Sequence, residues 1–160
     1  MKKKLFLATI IALMLIPTVL AQPNNALKCD CPIMFDVDQW AWIGTVSIPG
    51  SGTYDIIFHA DPAPRFVGHP TEEGSLFPRH LEQFEEVWEI YDGPTLLATG
   101  WDTGIFSSDS WKYTTMGKVE EAYGELAYLE GAVVLGKGVA WIVDGVFYGE
   151  GVLTFAGYAK

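Results

Sequence analysis

This sequence has little positive charge: ten Lys and Arg stand against twenty Asp and Glu in 160 residues. Three of the ten are Lys2, Lys3 and Lys4, and residues 1–21 hold no acid, so the remainder has 7 bases against 20 acids, a net charge of −13. Such a surface repels phosphate backbones and anionic lipid, so neither nucleic acid nor a membrane surface is an expected partner. Also missing are Asn-x-Ser/Thr, Gly-x-Ser-x-Gly, a phosphate loop and His-Glu-x-x-His. Their absence removes N-glycosylation and the common hydrolase and nucleotide readings. Cysteine is limited to Cys29 and Cys31 in "KCDCP". A bridge between residues two apart is strained, which points to disulfide chemistry with an unknown partner rather than a stabilising loop. A lone Cys-x-Cys is also too little for a thiolate metal site.

Long apolar runs are confined to the N-terminus. Lys2–Lys4 precede an apolar stretch from Leu5 to Leu20, and Val19-Leu20-Ala21 offers small residues for cleavage after Ala21. That pattern predicts a signal peptide over 1–21, a secreted mature protein and no membrane association once it is removed. Residues 22–36, polar and without periodicity, read as a flexible N-terminal arm carrying both cysteines. Residues 37–160 are long enough for one domain with a real core.

What is present in that domain is strand texture. Trp40, Trp42, Gly44, Val46 and Ile48 alternate with Ala41, Ile43, Thr45 and Ser47. "PGSGT" turns the chain into a second run through Tyr54, Ile56 and Phe58. Residues 60–80 hold four prolines and no sustained period, a length that in a compact domain marks function or mobility. Strand character dominates from Val87 to the Asp92-Gly93 turn, with a helix as the rival over 81–87. "TLLATGW" returns, two short strands follow at Gly104–Ser107 and Trp111–Val119, and "EAYGELAYLEG" favours one or two helical turns. No internal repeat is evident. Seven or eight strands in about 120 residues predict an all-β fold, a small antiparallel barrel of about eight strands, with a β-sandwich as the alternative.

The last hairpin is the clearest local signal. Asp144-Gly145 between β-rich runs demands a two-residue turn, pairing Val143 with Val146, Ile142 with Phe147 and Trp141 with Tyr148. One face then carries Ala140, Ile142, Phe147, Gly149, Gly151, Leu153 and Phe155, and its glycines suit a crowded concave interior. The other carries Trp141, Val143, Val146, Tyr148 and Val152, an apolar set pointing outward. It is expected to be a subunit interface in a homo-oligomer, a dimer or a trimer, unless residues 120–131 fold over it.

The stretch "GELAYLEG" at 124–131, followed by a β-rich run to the end, resembles the Gly-x-Phe-x-x-x-x-Gly segment of the allene oxide cyclase and dirigent barrels. Leu126 stands where those families have an aromatic, and the likeness covers roughly the last 60 residues. The resemblance implies an eight-stranded antiparallel barrel, often trimeric, with an apolar cavity. No position matches those families' catalytic or substrate-binding residues, so none is carried over.

Among groups that could carry chemistry, Glu86 shares a strand face with Phe84, Trp88 and Ile90. An inward register would place its carboxylate in an apolar cavity, as a ligand anchor or a weak candidate for acid–base catalysis. These four residues are the expected ligand-binding set, at a barrel mouth beneath the 60–80 segment. His59, His69 and His80, with Glu82 beside His80, are weak candidates for a metal because they lack ligand spacing. Asp36-x-Asp38, Glu72-Glu73 and Glu120-Glu121 lack a calcium-loop pattern and read as solvated acids. The expected function is a secreted, non-enzymatic barrel that binds a small apolar ligand, needs no cofactor and self-associates through its C-terminal sheet. The alternatives are a cyclase or isomerase on the same barrel using Glu86, or an extracellular structural subunit assembling by strand addition through its arm.

Overall fold

The computed structural model describes residues 25–60 and 81–158. The expected signal peptide lies outside these residues, as do His69, His80, Glu72-Glu73 and nearly all of the 60–80 segment. Eight antiparallel strands run up and down in chain order: β1 (Ala26–Asp36), β2 (Ala41–Ile48), β3 (Gly52–Ala60), β4 (Leu81–Asp92), β5 (Thr95–Ser107), β6 (Lys112–Ala122), β7 (Val133–Val143) and β8 (Val146–Ala156). β1 also pairs with β8, so the sheet closes into a barrel and the sandwich alternative is set aside.

Several expectations are corrected. The loose arm is β1 from residue 26 onward, because its alternation Leu27, Cys29, Cys31, Ile33 faces the interior and completes the ring. Both cysteines are therefore buried and free, and an intermolecular bridge has no access to them. They fill space as small hydrophobes. Burial lifts both thiols to about 12, which keeps them protonated and inert. The rival helix over 81–87 is strand. "TLLATGW" and Gly104–Ser107 are one 13-residue strand, since Gly100 and Gly104 on either side of Asp102-Thr103 lie under large interior side chains instead of at a turn.

The Asp144-Gly145 hairpin forms in the expected register, with both turn residues at positive φ, 50° and 83°. The helical turns are a short 3₁₀ helix, Gly124–Leu129, which closes one end of the barrel with Leu126 and Leu129 fully buried. This segment does not cover the outer face of β7–β8. The closed end is packed by Val46, Ile56, Trp88, Val119 and Phe155, with Trp88 edge-on to Phe155 at 6.4 Å.

Eight inward strands crowd a narrow barrel, so bulky side chains sit over glycines on neighbouring strands. A Cβ on Gly100 would lie 2.2 Å from the Trp88 ring, and one on Gly104 would lie 2.4 Å from the Phe84 ring. Gly138 and Gly151 together make room for Tyr113. The β7–β8 tip overruns the opposite end, which no described segment covers, so Ile142 and Phe147, although on the inward face, remain exposed among the described residues.

Candidate functional site

Among the described residues, the end opposite the 3₁₀ helix is open and is set by the β1–β2 turn, the β5–β6 turn and the β7–β8 tip; the β3–β4 connection on this side lies outside them. Two of these turns repeat one pattern, Phe-x-x-Asp-x-Trp-x-aromatic. It runs through Phe35, Asp38, Trp40 and Trp42 in the first turn, and through Phe106, Asp109, Trp111 and Tyr113 in the second. No internal repeat was expected, because eight residues matched once give no period. The structure makes the match visible by placing both copies on the rim, four strands apart in a ring of eight and hence on opposite sides.

The copies share geometry as well as sequence. Trp40 and Trp111 both adopt left-handed backbone, with φ of 51° and 55°. Each meets its own Phe edge to face, at centroid distances of 5.4 Å for Phe35–Trp40 and 5.9 Å for Phe106–Trp111. Left-handed backbone costs a Trp about 1–2 kcal/mol. Two such residues at equivalent rim positions store backbone strain on the same edge of the barrel. Trp42 also meets Phe35, at 5.4 Å, and Phe147 from the hairpin tip lies 6.4 Å from Trp111. The mouth is thus walled by half-exposed aromatic rings on facing sides.

Inside this rim, β4 turns Phe84, Glu86, Trp88 and Ile90 toward the interior, as the preferred register requires. Their roles divide by depth. Phe84 and Glu86 are partly buried near the mouth, whereas Trp88 and Ile90 are fully packed core. Opposite Glu86 on β5 lies Asp102, its direct cross-strand partner and only 1% exposed. Neither Asp102 oxygen has a hydrogen-bond partner of good geometry, nor do the Thr115 hydroxyl or the Trp88 indole N–H. Buried atoms of this kind are normally satisfied, and each unpaired one costs about 1–3 kcal/mol.

Burial, and then the neighbouring Asp102 carboxylate, push Glu86 well above the ordinary carboxyl range. Burial raises Asp102 to about 6, with Glu86 and Thr115 alongside pulling the other way. Two carboxyls side by side in a poorly solvated space oppose joint ionisation, so the pair keeps a proton to higher pH than an isolated carboxyl does. Tyr113 from β6 and Cys31 from β1 face the same space, and burial raises the Tyr113 hydroxyl too.

Sequence reasoning reached Glu86 but missed Asp102, Thr115 and Tyr113. In "TGWDTGIF" the natural choice is to bury Trp101 and Ile105, which would turn Asp102 outward. The signal against that choice was Gly100 and Gly104, which share Asp102's face and leave room for the large residues of β4.

The other expected residues fall elsewhere. His59 points outward, with Nε2 3.2 Å from Glu89 Oε2. Among the described residues no three His, Cys, Asp or Glu side chains are grouped to hold a metal. Trp141, Val143, Val146, Tyr148 and Val152 all lie on the outer face, with Trp141 stacked on Tyr148 at 6.3 Å. A groove of about 540 Å³ on the outside of β1–β3, lined by Met34, Ile43, Asp55, Ile57 and Tyr148 among others, continues this apolar surface.

Fold and site together define a closed eight-stranded antiparallel barrel with an aromatic mouth above an acidic pair. No family model, curated protein or solved structure matches the chain.

Proposed function

We propose that the chain is a secreted barrel that holds a small apolar ligand in its open mouth and self-associates through the outer face of its C-terminal hairpin. The observation that carries the first part is the matched pair of rim turns, each keeping a Trp in left-handed backbone beside a Phe. Strained, half-exposed indoles contribute little to the core, and aromatic walls over a few buried polar groups suit a small-molecule site. Trp40→Gly and Trp111→Gly relieve the backbone strain while deleting the ring, so each variant should stay within about 1 kcal/mol of wild-type stability. Native mass spectrometry on protein purified from its own host should show bound non-covalent mass in the wild type and its loss in the double variant. Wild-type protein without added mass, or variants that keep it, would sink this reading.

Self-association is supported by the exposure of Trp141 and Val143 on a face that no segment among the described residues covers. Exposed apolar patches of this kind mark partner surfaces. Trp141→Glu should weaken the oligomer by about a hundredfold or more, as expected when a central aromatic anchor is replaced by a charge. Sedimentation of wild type and variant over a range of concentration reads the effect directly. A wild type that is monomeric throughout contradicts the interface.

The proton that Glu86 and Asp102 retain favours a cyclase or isomerase as the second reading. Turnover of the isolated ligand that vanishes in Glu86→Gln with binding intact would select it. Strand addition through the N-terminal arm has lost its support, because β1 is paired with β8 along one edge and with β2 along the other.

A further inference from the structure

The acidic pair has an electrostatic imbalance that the aromatic mouth does not explain. Four lysines occur among the described residues, Lys28, Lys112, Lys118 and Lys137, and all lie exposed on the outer face. No described cationic side chain therefore faces Glu86 and Asp102. Buried carboxylates are ordinarily paired with a cation or a metal, and the described residues provide neither. What they do provide is a set of buried acceptors held by no hydrogen bond of good geometry: both oxygens of Asp102, at 1% exposure, and the hydroxyl of Thr115, at 8%, with Glu86 alongside.

An alkylammonium group carries three N–H donors and no acceptor, which is the complement of that set. Aromatic faces attract organic cations, and the mouth above the pair presents Phe84, Tyr113, Phe106 and Trp42 on its inward face. A net charge of −13 after residue 21 draws cations toward the barrel from a distance.

We propose that the ligand of this mouth is a primary amine on an apolar or aromatic body, whose ammonium group enters between Glu86 and Asp102 and donates to Asp102 and Thr115. The inference rests on the ligand-binding reading above and adds the chemical class of the ligand. Binding then displaces the proton that the pair otherwise retains. Affinity for the amine should therefore rise with pH across the range in which the pair ionises. The titratable groups facing the pair are each other, Tyr113 from β6 and Cys31 from β1; the inward positions opposite on β7 and β8 are Gly138 and Gly151, which carry no charge.

The experiment compares three bodies of different size, benzyl, 1-naphthylmethyl and n-octyl, each as the amine and the alcohol, with benzoic, 1-naphthoic and octanoic acids as the anionic counterparts. Calorimetry on the mature chain at about pH 7.5 should show at least one amine binding about tenfold or more tighter than its alcohol, the worth of one charge-assisted hydrogen bond. The matching acid should be weakest. Asp102→Asn and Glu86→Gln should each erase the preference for the amine over its alcohol, and the amine should weaken near pH 5. Circular dichroism on both variants confirms that the barrel persists. Equal affinity for amine and alcohol, or tightest binding of an acid, overturns the ammonium class and leaves the binding barrel standing. Failure of all nine compounds to bind overturns both.

Discussion

Between about pH 4 and pH 8 the folded barrel should lose roughly 3 kcal/mol of stability as Asp102 ionises. That figure is the gap between its ordinary value of 3.8 and about 6 in the barrel, converted to free energy. The sign follows from which state holds the proton. Below 3.8 the carboxyl is protonated in both the folded and the unfolded chain, and its burial carries no charge penalty. As pH rises past that value the unfolded chain releases the proton while the barrel retains it, so unfolding becomes progressively easier. Above about 6 the barrel must bury the charge, and the loss is complete. Glu86, raised by burial and by Asp102, carries the same sign to higher pH. Urea unfolding of the mature chain across this range should show a falling curve for wild type and a flatter one for Asp102→Asn. A wild type at least as stable at pH 8 as at pH 5 would mean that the pair is solvated and that the site described here is wrong.

Replacing Gly117 with Ala should cost about 3 kcal/mol or more, at or beyond the upper end for overpacking. A Cβ at this position would lie 1.9 Å from the Trp101 carbonyl oxygen and 2.6 Å from the Asp102 Cα, both backbone atoms of the neighbouring strand. A side chain in the way can change rotamer, but a paired backbone cannot move without opening the barrel between β5 and β6. Thr114→Ala on the exposed outer face of the same strand should stay within about 0.5 kcal/mol. Thermal melts of the two variants side by side separate a general loss of strand propensity from this clash. Gly117→Ala melting like Thr114→Ala would show that β5 and β6 are farther apart than their register implies. The same clash faces the side of Asp102, so the tightness that destabilises the variant also confines the acidic pair.

Much of the architecture could be read from the chain, because strand alternation and turn chemistry are local. The period-two patterns of β2, β3 and β4 from Val87 onward, and the Asp144-Gly145 turn with its register, needed no tertiary information. The faces of β7 and β8 followed too, since only glycine fits where inward side chains converge. β1 was harder. Its interior face is made of Leu27, two cysteines and Ile33, and its Pro32 and charged residues lie outside, so that in isolation it resembles a linker. Only its pairing with β2 and β8 makes it a strand.

The candidate site divides in the same way. The sequence by itself determined the acidity, the strand content, the last hairpin and the inward direction of Glu86, all of which depend on residues close together in the chain. Tertiary structure alone decided that Asp102 sits opposite Glu86, that Thr115 and Tyr113 face the same space, and that two rim turns present matching Phe–Trp pairs across the mouth. The physical reason is closure. A barrel brings strands that are distant in sequence around one narrow interior, where a large side chain on one strand fixes a glycine on the next and a carboxyl meets another carboxyl away from water.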